Sequence, residues 1–204
     1  MRKRRKNIAR SHEIGLIWSK RAPLGPYPLI LVLDGLKASF NVGKIVRTAN
    51  ALGVREVFLV GIPPWDPVLA RGALKATRTR TFAEMKDAIA ALREEGYALY
   101  ALHPRGEAAF GSVSFPEKTA FLVGHEEFGL SVDVADYPEI TLIQVPQVGI
   151  VESLNVSVAA SIAAYDYLRD RKLLGTAKPL VPAEKAPSPR APRVRPLPVA
   201  PNLP

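Results

Sequence analysis

No cysteine occurs in the 204 residues, which excludes disulfide scaffolds, thiolate metal sites and cysteine nucleophiles and fits a reducing compartment. Histidine is scarce as well: His12, His103 and His125 are scattered along the chain, so no histidine-rich metal centre is expected. Long hydrophobic runs are missing. The N-terminal Met1 to Lys6 has the charge of a secretory n-region, but His12, Glu13 and Lys20 interrupt the apolar segment that should follow it. The most apolar later stretch, Val145 to Tyr165, contains Gln147, Glu152, Ser153 and Asn155, which a lipid-facing helix of about 20 residues would not place so freely. A soluble, cytoplasmic protein with neither membrane nor metal partners is the expectation. Two nucleotide signatures are also absent. No G-x-G-x-x-G follows the first apolar run and no G-x-x-x-x-G-K-S/T occurs anywhere, which disfavours a dinucleotide site and a P-loop.

What the chain does have is apolar content of 48%, enough for the core of one ordinary domain, and a net charge of +9. The charge is unevenly spread: residues 1–21 carry +7, residues 22–168 carry −4 and residues 169–204 carry +6. Basic ends on a mildly acidic body suit a polyanion, nucleic acid before an anionic membrane surface; a solubilising role is the plainer alternative. From Gly175 to Pro204 there are nine prolines in thirty residues, so an extended or disordered tail is expected there. Residues 1–21 read as a short basic helix with Ile8, Ile14, Leu16, Ile17 and Trp18 partly buried, followed by the linker Pro23 to Pro28. The expected division is a basic N-terminal extension over 1–28, one domain over 29–174 and a tail over 175–204.

Within the body, short apolar runs alternate with helical patterns. Strands are expected at Leu29–Leu33, Glu56–Val60, Tyr97–Leu102, Thr119–Val123 and Ile140–Val145, and helices at Val42–Leu52, Phe82–Glu95 and Ser153–Leu173. Strands that are apolar throughout and separated by helices imply an α/β fold, an open and mostly parallel sheet with helices on both faces. Ligands in such sheets bind beyond the carboxyl ends of the strands, here after Leu33, Leu102, Val123 and Val145.

Three segments near those ends carry polar groups. Asn41-Val-Gly-Lys-Ile-Val-Arg47-Thr-Ala49 places Gly43 and Arg47 on one side of a helix, with Asn41 at its N-cap; the glycine would clear room for an anion at the guanidinium. Gly124-His-Glu126-Glu-Phe-Gly-Leu130 follows a strand, and Glu126 there would either orient Arg47 or accept a ligand hydrogen bond. In Val145-Pro-Gln-Val-Gly-Ile-Val-Glu-Ser153-Leu-Asn155-Val-Ser157, Ser153 and Asn155 bring a hydroxyl and an amide to a helix N-terminus. Taken singly, each is also compatible with a capped helix bearing a surface arginine, a turn with solvated carboxylates, or a simple serine N-cap.

Together, in this order and spacing, the three segments closely resemble the sequence motifs of the SpoU/TrmH family of RNA ribose methyltransferases, within the SPOUT superfamily, over roughly Leu29 to Leu168. The segment Leu59 to Thr77 also looks like members without a separate N-terminal RNA-binding domain. The resemblance implies an α/β knot, with the C-terminal part of the sheet threaded into a trefoil knot that forms a pocket for S-adenosylmethionine. It also implies a homodimer with the active site at its interface, and structured RNA, tRNA or rRNA, as the substrate. Arg47 matches the family's catalytic arginine, Ser153 and Asn155 the polar pair of the third motif, and Asn41 and Glu126 supporting polar positions. The cofactor would be held largely by main-chain groups around Leu102, Gly124, Val145, Ser153 and Leu154. Lys44, His125 and Gln147 depart from the commonest family residues without removing a catalytic group. The implied function is S-adenosylmethionine-dependent methylation of a ribose 2′-hydroxyl; the alternative is a knotted RNA-binding protein without methyl transfer.

Overall fold

Five apolar residues in a row, Leu29 to Leu33, are fully buried because their strand lies inside a sheet covered on both faces. The computed structural model describes residues 2–37 and 40–176, and in it this strand is β1 (Tyr27–Asp34). Side chains alternate along a strand, so Leu29, Leu31 and Leu33 pack with residues of α2 (Phe40–Ala51) and α5 (Val156–Asp170). Ile30 and Val32 pack on the other face with Met85, Ala88, Ile89 and Leu92 of α4 (Met85–Glu94). Each such side chain contributes roughly 1.5–3 kcal/mol on burial, which accounts for the absence of polar residues in the run.

The remaining strands are β2 (Val54–Val60), β3 (Thr79–Phe82), β4 (Ala98–Leu102), β5 (Ala108–Ala109), β6 (Thr119–Val123) and β7 (Ile140–Gln144). They form one seven-stranded sheet in the order β3-β2-β1-β6-β4-β7-β5, and every pairing is parallel. The α/β class and the covered parallel sheet therefore stand as the sequence implied. Phe82, expected to open a helix, instead ends β3. The Thr-Arg-Thr-Phe run alternates and pairs with β2, while Arg80 reaches Glu56 at 2.8 Å and Glu95 at 2.7 Å and lies over the Phe58 ring at 4.1 Å. The helix expected from Ser153 begins only at Val156.

The N-terminal segment forms α1 (Arg2–Ser19), but its packed face differs from the expected one. His12, Gly15 and Ser19 are buried and Ile8 and Leu16 half-buried, whereas Ile14, Ile17 and Trp18 are exposed. Close approach decides this choice: a Cβ on Gly15 would lie 2.7 Å from Leu74 Cδ2 in α3 (Ala73–Ala76). Ser19 Oγ donates to the Thr77 carbonyl at 2.6 Å and shares a second hydrogen bond with Thr79. His12 meets the buried Trp65 edge-on at 5.6 Å, and burial pushes its pKa down. Met1–Leu174 cluster as one compact unit, α1 included; the expected Pro-rich tail lies outside the described residues from position 177 onward.

At the other end, α5 is held by a segment more than fifty residues earlier in the chain. Asp166 Oδ2 accepts from the Gly111 N–H at 2.9 Å, Asp170 Oδ2 from the Phe115 N–H at 2.8 Å, and Tyr167 donates to the Glu117 carbonyl at 2.6 Å. Burial pushes the Tyr167 hydroxyl up to about 12. Among the described residues no helix is long and apolar enough to cross a membrane, and no cluster of three or more His, Asp or Glu is placed to hold a metal.

Candidate active site

In an all-parallel sheet the carboxyl ends of the strands share one edge. Register sets Leu33 beside Val123 and Leu102 beside Ile143, so the chain leaves β4, β6 and β7 at one level. A cleft of about 380 Å³ opens there, lined in part by Val123, Ile143, Val156 and Ala159, a size within the range of small-molecule sites. All five positions expected to hold a cofactor, Leu102, Gly124, Val145, Ser153 and Leu154, line it, and so does Glu126. Gly124 is required by crowding: a Cβ there would lie 2.3 Å from the Gly129 carbonyl carbon.

The loop that presses on Gly124 is internally tied. His125 and Gly129 exchange both backbone hydrogen bonds, at 2.8 and 3.0 Å, and the Glu127 N–H donates to His125 Nδ1 at 3.0 Å. Past the loop, Asp34, buried at the end of β1, accepts from Ser131 N–H at 2.6 Å and from its hydroxyl at 2.9 Å.

A chain of side chains then joins the three sequence segments. Asn41 Nδ2 donates to Glu126 Oε1 at 2.9 Å, and Asn155 Nδ2 donates to Asn41 Oδ1 at 3.3 Å. Asn155 Oδ1 accepts from the Ser157 N–H at 2.9 Å and caps α5. The cap is thus Asn155, not Ser153, which stands exposed on the cleft wall two residues earlier. Asn41 is likewise not a cap; it lies within the first turn of α2. At Glu126, burial raises the carboxyl pKa, but hydrogen bonds from Asn41, its own amide and the Lys37 amide outweigh that, and the net shift is downward. Glu126 is an ionised acceptor at neutral pH, a poor proton acceptor and a good anchor.

Arg47 stands apart from this chain. It is exposed and lines a second, open groove between α2 and α5, of about 650 Å³, with Lys44, Thr48, Ser161 and Tyr165 among its neighbours. Thr48 and Ser161 share a hydrogen bond of 3.1 Å across that groove. The expected Arg47–Glu126 pair does not form: among the described residues Glu126 is taken by Asn41 and Lys37. Gly43 does not open space for Arg47 either. A Cβ on Gly43 would lie 2.6 Å from Leu69 Cβ, so the glycine admits the 3-10 turn at Pro67–Ala70. Arg47 is exposed and has no hydrogen-bond or ion-pair partner among the described residues, which leaves its guanidinium open to an anion.

The family model of the SpoU rRNA Methylase family matches residues 28–165. The chain belongs to that family. Within it, the chain is 30% identical over 177 residues to a tRNA (guanosine(18)-2′-O)-methyltransferase of Thermus thermophilus, covering 84% of this chain and 88% of that one. It is 32% identical over 174 residues to the 23S rRNA (guanosine-2′-O-)-methyltransferase RlmB of Coxiella burnetii, covering 81% of this chain and 66% of the relative. Among solved structures, an AdoMet-bound rRNA methyltransferase from Sinorhizobium meliloti superposes with a TM-score of 0.64 at 26% identity, covering 74% of this chain and 59% of that one.

Membership in the SpoU family leaves some site residues unannounced. Lys37, whose Nζ pairs with Glu127 Oε1 at 2.7 Å, and the Asp34–Ser131 tie both fasten the 125–129 loop. Neither lies in a motif segment, and only the position of Asp34 at the strand's end hinted at a role. Phe128, on the loop's tip and 81% exposed, was visible in the sequence without any sign of its setting.

Proposed function

We propose that this chain transfers a methyl group from S-adenosylmethionine to a ribose 2′-hydroxyl of structured RNA, tRNA or rRNA, in the cytoplasm. The observation that carries this reading is the cleft at the strand ends, bordered by the Asn41–Glu126–Asn155 chain, on a sheet that belongs to the SpoU family. The residues present fit the cofactor. The wall around Gly124 is main chain that a side chain would fill, and Leu102, Val145 and Leu154 offer apolar surface. When bound, S-adenosylmethionine supplies an electrophilic methyl on a sulfonium.

The chain's own residues then align and neutralise. A guanidinium with a pKa above about 12 keeps its proton, so Arg47 grips a phosphate next to the reacting ribose and stabilises the developing alkoxide rather than acting as base. The hydroxyl proton passes late to solvent water, and the electron pair of the C–S bond that breaks stays on the sulfur, leaving a neutral thioether. Glu126, held as a carboxylate, fixes Asn41, and Asn41 in turn fixes Asn155. Ser153 faces the cleft beside Leu154 and offers a hydroxyl to the substrate. We read residues 29–174 as the catalytic domain, residues 1–28 and 175–204 as basic extensions that attract RNA, and the clasp of α5 by residues 111–117 as part of a C-terminal trefoil knot. Arg47 shares its open groove with the exposed Val158 and Tyr165, which supports a homodimer that brings Arg47 to the partner's cleft.

The test is calorimetric titration with S-adenosylmethionine, then transfer of labelled methyl to unmodified bulk RNA and nucleoside analysis of the product. Arg47→Ala should lower transfer by at least about a hundredfold and leave cofactor affinity within twofold. Cofactor-independent RNA binding with no transfer by the unaltered chain would instead establish the knotted RNA-binding alternative.

A further inference from the structure

Phe128 has the most exposed aromatic side chain among the described residues, at 81%, yet it is not loose. Its ring stacks on His125 with centroids 4.8 Å apart and planes at 24°. His125 is fixed in turn: its backbone pairs with Gly129, and its Nδ1 accepts from the Glu127 N–H. Gly124 underpins the loop, and Lys37 holds Glu127 from the side. Both rings line the cleft. An aromatic face held in place by a braced loop beside a cleft is a preformed platform for a planar partner.

We infer that the His125–Phe128 pair is a stacking ledge for a nucleobase of the RNA, beside the ribose that is methylated. This rests on the reading above. The base joined to a reacting ribose, or its neighbour, must lie within a few ångströms of the cleft mouth, where Phe128 stands. Phosphate does not suit the ledge, because Glu126 and Glu127 flank it. An uncharged base offers a π face to Phe128 and amino donors to the carboxylates. The adenine of a cofactor belongs deeper, against Leu102 and Val145, and not on a ring that is mostly in solvent. Stacking on exposed aromatic side chains is how unpaired bases are held without regard to backbone charge.

The experiment measures fluorescence anisotropy of a labelled single-stranded oligoribonucleotide and of an abasic strand of equal length, with Phe128→Ala, Phe128→Leu and Phe128→Trp. Phe128→Ala and Phe128→Leu should each weaken binding of the base-bearing strand by about tenfold. Phe128→Trp should stay within twofold of the unaltered chain, and all four proteins should bind the abasic strand alike. Affinity for S-adenosylmethionine, by calorimetry, should not move. Leucine binding as well as phenylalanine would make the ring an apolar contact for a protein or second copy and overturn the proposal. An equal loss on the abasic strand, or weaker cofactor binding in Phe128→Ala, would do the same. Failure of the unaltered chain to transfer methyl would sink the catalytic reading alone, since base-dependent binding is read without turnover.

Discussion

The cleft at the ends of β4, β6 and β7 is lined by apolar side chains such as Leu102, Val123 and Val145 and by the 124–129 loop, whereas the groove between α2 and α5 exposes Lys44 and Arg47. Both take residues from α5, yet they tolerate change in opposite ways. The cleft is defined by what is missing, most sharply a side chain at Gly124, with Gly129 backbone 2.3 Å from where its Cβ would be. The groove is marked by the exposed charge of Lys44 and Arg47. Shape is therefore the vulnerable property of the first and electrostatics of the second.

Substitutions can separate the two. The largest effect expected after Arg47→Ala is from Gly124→Ala, which must displace the 125–129 loop; overpacking of this kind costs about 1–3 kcal/mol. Calorimetry should show S-adenosylmethionine binding weakened about fivefold or more at any salt concentration. If that affinity were unchanged, the cleft would not be the cofactor's. Next come the exposed charges of α1. Changing Arg4, Arg5, Lys6 and Arg10 together to Gln should reduce the salt slope of RNA binding by up to about 0.7–0.9 per lost phosphate contact, with cofactor affinity untouched. Whole-helix deletion is a poorer test, because Gly15 and Ser19 pack against the body.

A smaller effect should mark the junction of the two sites. Asn155→Ala removes the α5 cap and the tie to Asn41, at about 1 kcal/mol, or roughly 2–4 °C in melting temperature. Both cofactor binding and transfer should fall modestly; loss of only one would mean that the cleft and groove are not coupled through Asn155. The smallest effect is one of pH. His12 has its pKa lowered by burial, so the folded chain resists a proton that the unfolded chain accepts. Its contribution is present above the unfolded value of about 6.5 and is lost as pH falls below it. The acid limb of thermal stability should be shallower in His12→Gln, with no matching change in cofactor affinity.

How much of this was legible in the sequence follows from the range of the interactions. Leu29 to Leu33 announced a strand buried on both faces because each residue's own character sufficed. The resemblance to the SpoU/TrmH motifs implied one pocket around Leu102, Gly124, Val145, Ser153 and Leu154, and all five line the cleft. What escaped reading depends on partners far away in the chain. Gly43 looked like room for Arg47 but is pressed by Leu69. Glu126 was a candidate partner for Arg47, yet Asn41 sits closer on the same helix. Of the five apolar residues expected to pack from α1, Ile8 and Leu16 are half-buried but Ile14, Ile17 and Trp18 are exposed, because contact at helix-to-helix range selects the small Gly15 and Ser19. Thr79–Phe82 hid as a strand because its Arg80 is satisfied by Glu56 and Glu95 from elsewhere.

The clasp on α5 has a temporal meaning. Asp166 and Asp170 each reach a backbone N–H 55 positions earlier in the chain, and Val156 and Ala159 of the same helix line the cleft. Contacts of such long sequence separation form late, after loop closure has been offset, and a nascent chain emerges from its N-terminus first. The sheet can assemble while α5 is still being synthesised, but the cleft wall arrives with the last segment of the fold. An incomplete chain thus holds strands without the α5 wall of the cleft, and the cleft is complete only once that helix has been made and docked.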